Sequence, residues 1–594
     1  MTIQLVRSRH DADATGLFRA LGEAKGGLGL DIETEPHGTI VLPPPIVCWQ
    51  VSDGATTWVV MADAVGLDEP HVREWLEDPD RIKAVHYGYY ESAAMYRWHD
   101  VTLSGTFDTC EVPRMLLAGL LPGEREACGL PDFSLETTVR RFLGVALSKG
   151  DVQTSFRRGQ ELDSRQVSYA AGDAHFTRLV ARPLWQWAKA AGLLDEALLD
   201  SEVNAVLARM GVRGVPLDRH MLEVITEQAL DDELAATAET VRRLGLDVDD
   251  VGRVTHDGKP FSVTSDAQLK RLLSAQTGRD LADVKEATLR RLDHDAAETI
   301  VTRRHAHTVV ANAAALAGAV YSSASGFVRT HPHWRSAESR TGRMSAREPN
   351  ICATPQVLHR TVAAPPGQMI GAFDYCRQEV YIIAAESGDA RLQEVLVAGD
   401  PYETVARRLG SSRNVAKRGL LSAAYGTGEE GLAQTAGIGV DDARAVIREL
   451  RREFPKAMGF CHTPRLASPP DAGLAPLCGG PQVFETRGRA RRRLVTARRR
   501  QAATLAMGNA PVQSTGAAMI KRALVEVDRR LPAGAEVVAA VHDEIVVIAD
   551  SHLASTVDRI VTDAMAAAAA TLCEPYPMPP VEGGWGSTWS EAKP

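Results

Sequence analysis

A chain of 594 residues is too long for a single hydrophobic core, and roughly two to four domains are expected of it. Hydrophobic residues at 44% and charged residues at 24% describe an ordinary water-soluble globular composition, and the net charge of −9 argues against a uniformly basic nucleic-acid coat while leaving room for a local basic groove. The 8 cysteines form no C-x-x-C pair, which argues against a disulfide framework or a zinc site; Cys461-His462 with Cys478 is the nearest approach to a ligand cluster, at poor spacing.

In chain order, the first informative stretch is Gly29–Thr34, GLDIET. On a strand, residues two apart share a face, so Asp31 and Glu33 point one way while Ile32 points into the core. Same-face carboxylates repel unless a cation or a proton lies between them, and a solvated strand end uses the same residues. Ala84–Arg97, AVHYGYYESAAMYR, leaves an apolar strand and enters a helix with Glu91 in its first turn. Leu162–Leu179, LDSRQVSYAAGDAHFTRL, reads as a helix on which Tyr169 and Asp173, four apart, are neighbours on one face. A carboxylate pair on a strand, a third acid and Tyr-x-x-x-Asp together resemble the 3′→5′ exonuclease domain of the Asp-Glu-Asp-Asp superfamily, tyrosine subtype. The resemblance implies two divalent ions about 4 Å apart that activate a water against a phosphodiester. Asp31, Glu33, Glu91 and Asp173 would hold them, and Tyr169 would orient the water. Two positions depart from the family pattern: Tyr87 stands where Asn is usual and Glu91 where Asp is usual. The extra methylene of Glu91 shifts an oxygen by roughly 1 Å, a displacement that can cost about 100-fold in rate, so a silent exonuclease stays open beside an active one. Asp100 and Asp108 are expected at surface or capping positions.

Leu193 to about Ala319 is helical in pattern, without catalytic clusters. MGVRGVPLD (Met210–Asp218) breaks one helix and starts the next. FSVTSDAQL (Phe261–Leu269) looks like the S-x-x-Q-L element of the thumb in family A DNA polymerases, although a helical linker has the same architecture. His294, His305 and His307 read as surface or packing histidines, since no carboxylate or cysteine stands at matching spacing.

From Arg335 the signals become dense. Ser339–Asn350, SRTGRMSAREPN, resembles the family A element T-x-x-GR-x-S-x-x-x-PN, and the following strand MIGAF ends in Asp374, with Glu379 five residues on. The family pattern D-Y-S-x-I-E is matched by Asp374, Tyr375 and Glu379 but not by Cys376 or Gln378. From Ser411 the chain reads SSRNVAKRGLLSAAYGTG: Ser411 or Ser412 caps a helix, Gly426 ends it, and Arg413, Lys417, Leu421 and Tyr425 form one stripe. Two cations followed by two bulky side chains suit a nucleotide, phosphates at the charged end and base and sugar at the other. The stripe looks like the family A fingers helix, with Leu421 where Phe or Tyr is usual, which implies altered selection against nucleotides lacking a 3′-hydroxyl. Pro464–Pro481 is a Pro/Gly-rich loop, and Glu485–Arg500 packs eight arginines into sixteen positions, either a solvated face or a phosphate-backbone contact. NAPVQSTGAA (Asn509–Ala518) matches a family helix start, with Leu505 where an arginine is usual; Asn509 and Gln513 are structural amides or reach the minor groove and primer terminus. VVAAVHDEIVVIAD (Val537–Asp550) is a β-hairpin with His542-Asp543-Glu544 at its tip, and Gly586–Lys593 closes with a family-like G-x-x-W-S-E-A-K.

These elements in this order imply a right-hand polymerase of family A. The fold expected is α/β multidomain: an RNase H-like 3′→5′ exonuclease domain (1–192), thumb and connecting helices (193–335), an antiparallel-sheet palm in two parts (336–395 and 511–594) and mostly helical fingers (396–510). No 5′-nuclease domain is expected ahead of the exonuclease, giving a Klenow-like layout. The resemblance implies Asp374, Tyr375 and Asp543 at two Mg²⁺ ions, with Mn²⁺ able to substitute. Glu544 would be a supporting acid, Arg413 and Lys417 would hold the dNTP triphosphate, and Lys417 would donate a proton to pyrophosphate. Glu379 beside Tyr425 would gate the ribose 2′-hydroxyl, with Arg343 and His542 on the primer–template DNA. A monomer, with or without a processivity partner, is expected. The opening residues lack an apolar run of signal-peptide length and Met565–Leu572 is too short for a bilayer, so a cytoplasmic protein free of membrane is expected. A single-subunit RNA polymerase and a non-catalytic DNA-binding relative are the alternatives; Glu379 and the two palm aspartates weigh against them.

Overall fold

The computed structural model describes residues 1–23, 26–117, 125–126, 129–147, 151–318, 320–322, 328–337, 339, 341–460, 466–467, 482–484, 493–494 and 500–593. Six strands open the chain: β1 (Thr2–Val6), β2 (Leu28–Thr34), β3 (Ile46–Ser52), β4 (Thr56–Met61), β5 (Lys83–Val85) and β6 (Thr106–Asp108). They form one sheet in the order β1-β4-β3-β2-β5-β6, with β2, β3 and β4 antiparallel in succession and β5 and β6 added in parallel. β3, IVCWQVS, is buried along its whole length, the mark of a strand covered on both faces. Helix α1 (Tyr89–His99) follows β5, and the long helix α2 (Ser164–Ala190) lies across β2 and β3. A capping box fixes the start of α2: the Asp163 carboxylate accepts the N–H of Gln166, whose side chain accepts the N–H of Asp163. The approach of α2 to β2 is closest at Gly29, where a Cβ would stand 2.2 Å from the Ala174 carbonyl, so no side chain fits there.

The middle of the chain is helical as its pattern implies: α3 (Leu194–Arg213), α4 (Arg219–Arg243), α5 (Asp266–Thr277, capped by Ser265) and α6 (Ala296–Gly318). The break at Met210–Asp218 is more than a turn. It carries strand β7 (Val215–Leu217), which pairs antiparallel with β8 (Val328–Thr330). Residues 247–260, between α4 and α5, add a small three-stranded antiparallel sheet. The surface histidines do meet carboxylates, contrary to the reading of their spacing: His305 lies 3.0 Å from Glu286 and His307 2.9 Å from Glu233, partners that sit on other elements and so leave no local pattern.

The second large sheet is built from β9 (Gln368–Tyr375), β10 (Ala535–Val541), β11 (Glu544–Asp550) and β12 (Val581–Gly586), in the order β10-β11-β9-β12 and antiparallel throughout. Its helices are α7 (Gln378–Ser387), α9 (Arg500–Arg530), α10 (Ala554–Cys573) and the short α11 (Trp589–Ala592), and a helical group over residues 401–460 includes α8 (Arg413–Ala424). Both hairpin strands are apolar on both faces because α9 and α10 cover the sheet on one side and other elements on the rest. The hairpin tip is narrower than the sequence suggests. His542 and Asp543 alone make the loop, His542 in the left-handed region at φ +58°, while Glu544 is already the first residue of β11 and buried. Among the described residues no helix is long and apolar enough to cross a membrane.

Candidate active sites

The first acidic cluster follows from two local periodicities. Strand alternation puts Asp31 and Glu33 on one face of β2, and α2 packs on that face with Tyr169 and Asp173 one turn apart. Carboxylate oxygens of Asp31, Glu33 and Asp173 lie within 4.8 Å of one another. Tyr169 is hydrogen-bonded to Asp173, and burial together with the charges of Asp173, Glu33 and Asp31 raises its phenol pKa. Glu91, in the first turn of α1, is buried; desolvation and then the Asp31 and Asp108 charges push its carboxyl well above the usual range, and its Oε2 has no hydrogen-bond partner. Such crowded, desolvated acids are what a divalent cation would satisfy.

Asp100 and Asp108 both take capping positions, one outside and one buried. Asp108 is not at the surface: it is fully buried and accepts the backbone N–H groups of Tyr87 (3.0 Å), Gly88 (2.8 Å) and Cys110 (2.8 Å), so it caps the β5–α1 turn from inside. Asp100 is the exposed C-cap of α1. Tyr87, at φ +69°, spends its hydroxyl on His333 Nε2 at 2.8 Å, on the strand His333–Arg335.

The second cluster lies on the second sheet. Asp374, near the end of β9, pairs in register with Glu544 on β11 and Glu582 on β12, and Asp543 is in the adjoining turn. Burial, then the charges of Asp543 and Glu544, lifts the Asp374 carboxyl to about 7, and its buried Oδ1 has no hydrogen-bond partner. Asp543 is raised by burial, opposed by Arg343 and His542. Both oxygens of Glu544 are taken: Trp589 Nε1 donates to Oε1 at 2.8 Å, and Lys593 Nζ stands 2.9 Å from Oε2. Tyr375 is buried with its hydroxyl donating to the Met565 carbonyl at 2.7 Å, so only its main chain is available to the acids.

Beside these acids three elements converge on Glu379 in the first turn of α7. Tyr425 donates to Oε2 at 2.7 Å, and Arg343 pairs with Oε1 at 3.1 Å. Tyr425 is the C-cap of α8, whose N-cap is Ser412. Arg413 and Lys417 are exposed on the N-terminal half of that helix and Leu421 is half-buried. Arg413 is tied to Asp400, Nη2 to Oδ2 at 2.7 Å, and Arg377 reaches the same carboxylate at 3.4 Å. Gln378, a mismatch to the pattern, is buried against Gly516 on α9. His542 is exposed at the hairpin tip and Gln513 is half-buried on α9. The Asn509 side chain, most of the arginine run 485–500 and of the Pro/Gly-rich loop 464–481, and the Cys461/His462/Cys478 trio lie outside the described residues. Sequence reading passed over Asp400, Trp589 and Lys593 as site residues; the family-like closing motif was the one signal available for the last two.

A mixed α/β nuclease-like sheet followed by an antiparallel sheet carrying an acid pair, with an Arg/Lys-bearing helix nearby, defines the class of right-hand nucleic-acid polymerases with an attached exonuclease fold. Comparison with known proteins makes the assignment specific. The DNA polymerase family A model matches residues 238–591 and a 3′-5′ exonuclease model residues 7–187; the chain belongs to DNA polymerase family A. It is similar to DNA polymerase I of Pseudomonas aeruginosa, at 26% identity over 92% of this chain and 61% of the relative. With the thermostable DNA polymerase I of Thermus filiformis it shares 28% identity over 70% of this chain and 50% of the relative. With DNA polymerase I of Chloroflexus aurantiacus the figures are 25%, 94% and 59%. The chain thus spans about half to three-fifths of the length of these curated relatives. Its fold is similar to a solved POL domain of Pol1 from M. smegmatis in complex with DNA primer-template and dNTP, at a TM-score of 0.75 and 20% identity over 99% of both chains.

Proposed function

We propose that the chain is a template-directed DNA polymerase that extends a primer 3′-hydroxyl with dNTPs and also removes nucleotides in the 3′→5′ direction. The observation that carries the reading is Asp374, with a buried oxygen lacking any partner, set in register beside Glu544 and next to Asp543 on the sheet of a family A fold. Asp374 and Asp543, with the main chain of Tyr375, would hold a pair of Mg²⁺ ions, and Asp31, Glu33, Glu91 and Asp173 a second pair. When bound, such ions activate the primer hydroxyl or a water and neutralise the developing phosphate charge. Arg413 would exchange Asp400 for the triphosphate, and Lys417, on the same exposed face, would share that load and supply a proton to the leaving pyrophosphate. Glu379, held by Tyr425 and Arg343, would leave no room for a 2′-hydroxyl. Arg343, His542, Asn509 and Gln513 would meet the primer–template, and Tyr169 would orient the attacking water at the first cluster.

Primer extension on matched and mismatched 3′ ends, with dNTPs against rNTPs and with Mg²⁺, tests both sites at once. Extension with dNTPs, trimming of the mismatch, loss of extension in Asp374→Asn and loss of trimming in Asp31→Ala are expected. Equal use of rNTPs refutes the DNA assignment, and undiminished extension by Asp374→Asn refutes the metal assignment. A second reading, a polymerase with a silent exonuclease, draws on Glu91 and Tyr87. It holds if the wild-type chain and Asp31→Ala degrade single-stranded primer equally slowly.

A further inference from the structure

We propose that Lys593 and Trp589 are positioning residues of the polymerase metal site, acting through Glu544. By occupying both carboxylate oxygens of Glu544 they withhold this acid from the ions and leave Asp374 and Asp543 to bind them. The inference rests on the polymerase reading above and deepens it.

Among the carboxylates at this end of the second sheet, Asp374, Asp543 and Glu544 lie closest to the proposed ions, and they are not equivalent. Asp374 has a buried oxygen with no partner, whereas Glu544, its register neighbour and only 6% exposed, has none to spare. The group that saturates Glu544 cannot easily turn away. Trp589 is fully buried, its ring stacked on His359 at 3.9 Å and 9°, and its main-chain N–H donates to the Val362 carbonyl at 2.9 Å. Thr588 caps α11 by accepting the Glu591 N–H, which fixes the angle at which the helix meets the sheet. Lys593 follows that helix, and its ammonium sits 5.2 Å from the Trp589 ring centroid while pairing with Glu544 at 2.9 Å. A cation held at two points beside three acids lowers their mutual repulsion, and it also cancels the charge of the one acid it touches. A glutamate freed from it is long enough to swing toward the ions and draw them from the geometry that in-line transfer needs.

The test is a Mn²⁺ titration followed by electron paramagnetic resonance on the full chain bound to primer–template. Asp31→Ala and Asp173→Ala are present throughout, so that the other cluster does not contribute. Lys593→Ala is expected to bind Mn²⁺ roughly fivefold more tightly than its parent, through loss of a nearby cation and gain of a carboxylate. Primer extension by the same protein is expected to slow by about tenfold or more. Lys593→Arg, which keeps the cation, should restore the parental affinity. In a Glu544→Gln background Lys593→Ala should tighten Mn²⁺ binding clearly less, because only the cation is lost and no carboxylate is released. Unchanged or weaker Mn²⁺ binding by Lys593→Ala at an unaltered melting temperature overturns the proposal, as does equal tightening in the Glu544→Gln background. If Lys593→Ala does not fold, Lys593→Met keeps the aliphatic stem over Trp589 and must show the same shift. Metal binding is read without turnover, so a chain that behaves as expected here yet extends no primer sinks the polymerase reading and not this one.

Discussion

Glu111 is 5% exposed at the start of the helix Glu111–Leu116, with Arg114 as its ion-pair partner at 2.5 Å. Burial outweighs that guanidinium, and the carboxyl rises to about 7, with Asp108 and Asp200 adding repulsion. A folded-state pKa above the unfolded one means that the native state keeps a proton the unfolded chain gives up. The associated stability is therefore complete below about pH 4.5 and is lost as pH rises through about 7, on the order of 3 kcal/mol at most. Urea unfolding between pH 5 and 8 should show this decline, and Glu111→Gln should flatten it; an unchanged slope would mean that another group titrates. The sequence conveys such environments unevenly. Asp31, Glu33, Tyr169 and Asp173 are legible because strand alternation and the helical i, i+4 relation are local. The burial of Asp108 and the saturation of Glu544 are not, because each depends on a distant residue: Ser201, whose hydroxyl accepts the Asp108 main-chain N–H, and Lys593, which pairs with Glu544.

At the scale of elements, the apolar runs of β10 and β11 and the capped helix α8 stand out in the sequence because each is long enough to show its period or its caps. β7 and the three short strands within 247–260 have two or three residues each, too few for any alternation to register. The packing of β12 on β9 was equally hidden. It depends on Gly583, where a Cβ would lie 2.3 Å from Cδ1 of Phe373, the residue before Asp374. Gly583→Ala must push the Phe373 ring or part the strands, at a cost of roughly 1–3 kcal/mol. A lowered melting temperature together with slower primer extension is the expected result, and a fully active, equally stable variant would show that the ring has room to move.

At the scale of the whole molecule, α3 and α9 are joined by ion pairs that are largely buried. Lys521 Nζ meets Asp200 Oδ1 at 2.5 Å with side chains 1% and 3% exposed, and Asp528 on α9 receives Arg209 (2.5 Å) and Arg213 (3.0 Å) from α3. Removing one member strips the other of an ion-pair partner in a site largely closed to water. Lys521→Met should therefore cost about 3–5 kcal/mol, while replacing Asp200 as well, as Lys521→Met with Asp200→Leu, should recover most of it. Calorimetry distinguishes the two, and a Lys521→Met chain as stable as its parent would mean that water reaches Asp200.

The order of strands in the second sheet also has a consequence in time. β9 is synthesised first and lies in the middle, yet both of its neighbours come from the far end: β11 and β12. At the roughly 5–20 residues per second of chain synthesis, β9 emerges on the order of ten seconds before anything can pair with it. Through that interval the apolar strand MIGAF has two open edges, the condition under which strands find wrong partners. The acid pair is thus assembled late, with only α10, β12 and α11 still to come, and a chain interrupted before the β10–β11 turn carries Asp374 without Asp543 and can attempt no chemistry at that site.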